Sequence, residues 1–168
     1  MRIRPATQQD GSAIWSIIGP VIQAGETYTL ARDMTEAAGL AYWMGPEKET
    51  FVVEDDGLIL GTYYMRPNQA GGGAHVANCG YMTSTAAAGR GLARAMCEHS
   101  MTHARARGYR AIQFNFVVST NVRAVRLWET LGFSVVGRLP RGFEHPSEGF
   151  VDALVMYQWR AVRPARSH

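Results

Sequence analysis

The chain is short of cysteine, lysine and long apolar runs, and each shortage removes a class of protein. Two cysteines in 168 residues, Cys79 and Cys97, cannot build a disulfide framework. Cys97 falls in a predicted helix and Cys79 in a predicted strand, where a thiol packs as a small hydrophobe. No apolar run approaches the roughly 20 residues that a membrane-spanning helix needs, so no membrane partner is expected. No apolar segment follows Met1-Arg2-Ile3-Arg4-Pro5, so no secretory leader is expected and the cytoplasm is the expected location. Lysine occurs once, as Lys48, and every other basic side chain is arginine. The 17 basic residues against 14 acidic ones leave a charge of +3, too small an excess to point to nucleic acid. His99 and His103 stand four apart on one helix, but no third or fourth ligand is indicated, so no metal is expected. With no internal repeat and no linker, residues 1–168 are expected to form one domain that buries about 70% of its unfolded surface. The tail from Arg160 to His168 gathers positive charge after the last apolar run and reads as a solvated terminus.

What is present is a regular alternation of periodicities. A strand at 2–6 precedes a helical pattern from Asp10 to Gln23, in which Ile14, Ile17, Ile18, Val21 and Ile22 recur at three- and four-residue spacing. Pro20 predicts a kink or break there. A loop from Gly25 to Leu30 leads to a short helix from Thr35 to Met44. Phe51–Glu54 and Leu58–Met65, joined by Asp55-Asp56-Gly57, form a hairpin that ends in the glycine-rich loop 70–73. A strand from His75 to Thr83, a helix ending at Arg107 before Gly108, and a strand at 111–118 follow. A helix at 121–131, capped by Ser119 or Thr120, precedes strands at 133–139 and 150–159. The order β-α-α-β-β-β-α-β-α-β-β implies an α/β chain, a mixed sheet with helices on its faces.

Two segments about thirty residues apart carry the chemistry. Ala88-Gly89-Arg90-Gly91-Leu92-Ala93 is a glycine turn opening a helix, where bare N–H groups and the helix dipole converge on an anion. Asn121-Val122-Arg123-Ala124-Val125-Arg126-Leu127-Trp128-Glu129-Thr130-Leu131-Gly132-Phe133 is the second. Together they resemble the GNAT superfamily of acyl-CoA-dependent N-acetyltransferases. The family's first motif, Gln/Arg-x-x-Gly-x-Gly/Ala, keeps its small residues here as Gly91 and Ala93, while its leading Gln/Arg is Ala88. The second motif is matched by Asn121, Ala124, Gly132 and Phe133, but its usual aromatic, Tyr, is replaced by Trp128.

The resemblance implies a GNAT fold: a central, mostly antiparallel mixed sheet, splayed between the fourth and fifth strands, with helices on both faces. It also implies acetyl-CoA as co-substrate, with the pyrophosphate on the backbone of Ala88, Gly89, Arg90, Gly91, Leu92, Ala93 and Arg94. Met82 and Thr83 would pair with the pantetheine, and Asn121, Ala124 and Trp128 complete the cofactor side. Backbone N–H groups at the splay would polarise the thioester carbonyl. An indole N–H does not titrate in the useful range, so Trp128 either packs against the thioester end or fills core, and supplies no proton.

The catalytic candidates are Asn115, Tyr157 and Glu26. Asn115, between Phe114 and Phe116, is either an orienting group for acceptor or carbonyl or a structural bridge between strands. Yeast proline-analogue acetyltransferases, which this region resembles, use a strand Asn in the first way. Tyr157 and Tyr81 are candidate acids, against packing roles, although the nascent ammonium or water would serve without either. Glu26 is the best-placed carboxylate for contacting the acceptor, against a solvated loop charge. Tyr28, Tyr81 and His145 are candidate acceptor contacts, His145 being placed on a loop between the last two strands.

The leading reading is transfer of acetyl from acetyl-CoA to a small amine or amino acid in a ternary complex. The last two strands are similar to those of bacterial members with small amino-acid-like acceptors. A protein N-terminal or lysine acetyltransferase and a non-catalytic acyl-CoA sensor are the alternatives. A homodimer is the assembly considered, although no residue fixes it.

Overall fold

Phe51, Val52 and Val53 are all buried, yet Phe51 and Val53 enter one apolar cluster and Val52 another. Strand side chains alternate between faces, so a run buried at every position marks a sheet covered on both sides. The computed structural model describes residues 1–160, and the basic tail beyond lies outside the described residues. Its elements are β1 (Arg2–Pro5), α1 (Gly11–Ala24), α2 (Glu36–Trp43), β2 (Glu49–Asp55), β3 (Leu58–Pro67) and β4 (Val76–Thr83). They continue as α3 (Leu92–Ala106), β5 (Ala111–Val118), α4 (Val122–Thr130), β6 (Ser134–His145) and β7 (Gly149–Trp159).

The seven strands lie in the order β1-β2-β3-β4-β5-β7-β6. Only β4 and β5 run parallel; the other neighbours are antiparallel. On one face α1 and α2 pack Ile14, Ile18, Ile22 and Trp43 against Val52, Tyr64 and Met82. On the other, α3 and α4 pack Met96, Cys97 and Trp128 against Tyr63, Phe114 and Met156. The mixed sheet with helices on both faces is therefore the architecture found. No helix among the described residues is long and apolar enough to cross a membrane.

Three boundaries differ from the sequence reading. Helix α1 runs unbroken through Pro20, which lies on its exposed face, where the carbonyl that loses its partner meets water. Helix α4 has Asn121 at its N-cap with no side-chain cap bond, so neither Ser119 nor Thr120 closes it. Strand β6 continues to His145, past a bulge between Leu139 and Phe143 where Arg141 has φ 54°. His145 thus ends a paired strand, opposite Gly149, rather than sitting in a long loop.

The splay has a sharp origin. β4 and β5 pair only at Val76–Ala111 and Ala77–Ile112. At the next position Asn78 Nδ2 donates to the carbonyl of Gln113 at 3.0 Å, so a side chain takes over from the ladder. Beyond it the strands part. A β-bulge in β5, where Asn115 and Phe116 together oppose one residue of β7, bends the strand at that point.

The first strand is clamped to the first helix by Arg4, whose Nη1 and Nη2 donate to the two carboxylate oxygens of Asp10 at 2.9 Å each. The guanidinium hydrogen bonds hold the Asp10 carboxyl at about 2, against an ordinary 3.8, over the opposing effect of burial. A lowered native value stabilises the fold above the unfolded value and is lost as pH falls through the native one. Asp10→Asn is expected to cost about 2 kcal/mol at neutral pH. That deficit should shrink as pH falls below about 4 and vanish below about 2. Urea unfolding of both proteins across that range checks it.

Candidate active site

Parting two strands inside a sheet leaves backbone donors and acceptors without neighbours, which a folded protein tolerates only where something else can pair with them. The cleft that opens there has a volume of about 410 Å³ and is walled by β4, β5, the first turns of α4, and Tyr28, Tyr42 and Tyr64. The amide of Asn68 bonds the carbonyl of Val76, and that of Ser84 the carbonyl of Leu60, so even-numbered residues of β4 are those bonded to β3. The alternation of an antiparallel ladder then turns the N–H and C=O groups of Cys79, Tyr81 and Thr83 toward the splay. The Tyr28 hydroxyl donates to one of these, the Tyr81 carbonyl, at 3.0 Å. Burial raises the Tyr28 phenol above its ordinary value, so it stays a donor.

At the open end, Gly89 and Gly91 adopt φ 79° and 73°, and a Cβ built on either meets no atom within 4 Å. The N–H groups of Gly89, Gly91, Leu92, Ala93 and Arg94 donate to no group among the described residues. Five free amides at the N-terminus of a fifteen-residue helix form a cradle suited to a diphosphate. Leu92 is buried and anchors the turn in the core, while Ala88 is exposed. Arg90 is turned away to Asp55, which also takes the Met1 ammonium at 2.8 Å. Arg94 reaches Glu98 at 3.6 Å.

Asn121, Ala124 and Trp128 present one face of α4 to the cleft. Trp128 is 8% exposed and packs with ring centroids 5.2 Å from Tyr81 and 5.1 Å from Phe114, so it is both cleft wall and core. Met82 and Thr83 line the cleft as well, with the Met82 side chain buried toward α1. Asn115 is carried into the cleft by the bulge. Its Nδ2 donates to Asn68 Oδ1 at 2.7 Å, and its Oδ1 accepts from Gln113 Nε2 at 2.9 Å.

Other candidates fall elsewhere. Tyr157 pairs with Gln113 beside the closed end of the splay and does not line the cleft, because β7 lies behind β5. Tyr81 lines it, but its hydroxyl is 2.7 Å from Ser100 Oγ on the α3 side and burial raises the phenol well above its ordinary value, so it is no ready acid. Glu26 and His145 meet in a second, shallower depression of about 270 Å³ that shares Thr27 and Asn121 with the cleft. His145 Nδ1 there accepts from the amides of Ser147 and Glu148, bracing its own turn. Burial pushes the Cys79 thiol up to about 12, against any thiolate. His99 bonds Tyr63 and His103 bonds Glu49, so the two histidines have separate partners.

The sequence reading missed the far end of the cleft, formed by Tyr42, Tyr64, Arg66 and Asn78. A Cβ on Gly80 would lie 2.8 Å from the Tyr64 ring, so glycine there is what lets that ring lie over β4. The available signal was an arginine closing the buried run Tyr63-Tyr64-Met65 of β3.

Comparison with known proteins gives a consistent result. The profile of the acetyltransferase (GNAT) family matches residues 21–133. The N-acetyltransferase aca1 of Schizosaccharomyces pombe is 31% identical over 115 residues, 68% of this chain and 54% of aca1, so the chain spans about half the length of that relative. A GCN5-related N-acetyltransferase from Kribbella flavida is 42% identical with a TM-score of 0.89, covering 94% of this chain and 96% of that one. A phosphinothricin acetyltransferase from Sinorhizobium meliloti, solved in complex with AcCoA, has a TM-score of 0.82 at 18% identity, over 99% of this chain and 91% of that one.

Three variants test the cradle and the indole. Gly91→Asp sets a carboxylate and a strained backbone against the anion, and calorimetry should show CoA binding lost, whereas Ala88→Gln should bind as well or better. Unchanged CoA affinity in Gly91→Asp would refute the placement. Trp128→Phe should keep turnover within about tenfold of wild type, since the indole supplies no proton. A loss beyond about a hundredfold with cofactor still bound is the size of a general-acid contribution and would overturn this.

Proposed function

The chain belongs to the GNAT acetyltransferase family, and we propose that it transfers acetyl from acetyl-CoA to the amine of a small amino-acid-like molecule by direct attack in a ternary complex. The observation that carries this reading is the cleft itself. It sets the unpaired edge of β4, which ends at Thr83 before the amide cradle, against four tyrosines, one arginine and three asparagines, at a volume suited to a small polar acceptor.

In this reading the cradle from Ala88 to Arg94 takes the pyrophosphate, and the free edge of β4 through Thr83 pairs with the pantetheine amides. Asn121, Ala124 and Trp128 bound the cofactor on the α4 side. The neutral amine attacks the thioester carbonyl carbon. As the C–N bond forms and the C–S bond breaks, a splay-facing N–H of β4 takes the charge on oxygen, a contribution of about 3 kcal/mol for one such donor. The proton lost from the ammonium passes to the leaving thiolate or to water, so no phenol is required. Asn115 orients the acceptor, and Tyr28 lines its pocket while fixing the Tyr81 carbonyl. Glu26 and His145 border the depression through which the acceptor enters. Two buried free thiols support a cytoplasmic setting.

Thiol release measured across free amino acids, simple amines and short peptides tests the acceptor class. Turnover on amino acids is expected, and turnover confined to peptides would reject it. Asn115→Ala should lower turnover roughly thirty- to a hundredfold with CoA affinity and melting temperature little changed. A stability loss of about 1–3 kcal/mol with normal turnover per folded molecule would make Asn115 a strand-bridging group only.

A further inference from the structure

Among the described residues, one buried side-chain polar atom has no hydrogen-bond partner, and it is Nε of Arg66. No ion pair or hydrogen bond holds the rest of that guanidinium to a described residue. A native fold satisfies its buried polar groups, and an unpaired buried donor on a charged side chain calls for a ligand or a function.

Its surroundings sharpen the question. Arg66 lies on β3 directly opposite Asn78, at the end of the cleft where β4 and β5 first part, and lines the cleft beside Tyr42 and Tyr64. A second cation is close by. The Lys48 side chain is 1% exposed, and its Nζ stands 3.5 Å from the centre of the Tyr42 ring and 4.7 Å from that of Tyr64. Burial lowers the Lys48 ammonium below its ordinary value, Glu47 opposes that, and the charge of Arg66 lowers it further. Glu47 pairs with Lys48 at 3.6 Å and also feels the charge of Arg66, so one carboxylate faces two cations. This end of the cleft therefore carries positive charge that the chain leaves uncompensated.

The missing anion is not the cofactor's diphosphate. Asn78, opposite Arg66, lies five residues before Thr83, or about 17 Å along β4 from the end that leads into the amide cradle. Arg66 instead neighbours the acceptor side. Asn68, two residues on and just past the end of β3, accepts from the Asn115 amide at 2.7 Å. A planar guanidinium presents paired N–H donors that match a carboxylate, so an acceptor bearing both an amine and a carboxylate would span Asn115 and Arg66.

We propose that Arg66 is the specificity-determining residue of the acceptor site, a guanidinium that receives the carboxylate of an amino-acid acceptor. This rests on the small amino-acid reading above and deepens it. The test measures kcat/KM by thiol release for the standard amino acids, their carboxamides and their decarboxylated amines, with wild type, Arg66→Gln and Arg66→Lys. Wild type should prefer the acid over its carboxamide at least tenfold. Arg66→Gln should raise KM for the acid about ten- to a hundredfold and bring the acid-to-amide ratio near one, with KM for acetyl-CoA unchanged. Arg66→Lys, which keeps the charge without the fork, should retain part of the preference and serves alone if the glutamine variant fails to fold. Amino acids turned over with no acid preference, or with one that survives Arg66→Gln, would overturn the role of Arg66 while leaving the small-acceptor reading standing. Turnover restricted to peptides would reject both.

Discussion

Two neighbouring strands that stop pairing after two residue pairs are the constraint on which this site depends. A sheet interior normally consumes every backbone N–H and C=O, and here the edges of β4 and β5 beyond Ala77 and Ile112 face each other across a gap. Asn78 ends the ladder by lending its amide to Gln113, and the β5 bulge bends the strand where the gap opens. The resulting cleft has an edge of unspent donors and acceptors in a setting where extended polar chains such as a pantetheine arm bind by adding a strand's worth of hydrogen bonds. The rest of the architecture supports this gap. α1 and α2 cover one face of the sheet and α3 and α4 the other, so the strands stay registered although two of them are not joined along most of their length.

Charge is arranged along the cleft in the same sense at both ends, by different means. At one end it is carried by backbone, through free amides at the start of α3 with glycines at positive φ. At the other it is carried by a side chain, Arg66, in an aromatic setting that includes Tyr42 and Tyr64. Amides suit a diphosphate that every acyl-CoA shares, and they explain why loss of the leading Gln/Arg at Ala88 leaves the cradle in place. A side chain can differ between relatives, which is where a difference in acceptor would reside. The departure at Trp128 fits the same division, since its ring is as much part of the core with Tyr81 and Phe114 as it is part of the wall.

The order of elements, the mixed sheet with helices on its faces, the glycine turn and the Asn121–Phe133 segment were legible in the residues, because each is encoded locally, by side-chain period or by a backbone conformation that only glycine adopts easily. The family followed from those two segments and their spacing. What the residues did not disclose depends on contacts between distant segments. Tyr157 and Tyr81 looked equivalent as strand phenols. Strand order sets the first behind β5, and helix packing ties the second to Ser100. The one local mark of Arg66 is its place at the end of the run Tyr63-Tyr64-Met65; its isolation arises from Tyr42 and Lys48 of another segment coming against Tyr64, with Lys48 paired to Glu47. The sequence by itself determined which elements form and where a glycine turn leaves the first amides of a helix bare. Only the tertiary structure decided which side chains share the cleft, because that depends on strand order, a bulge and the packing of helices across the sheet, all of them long-range.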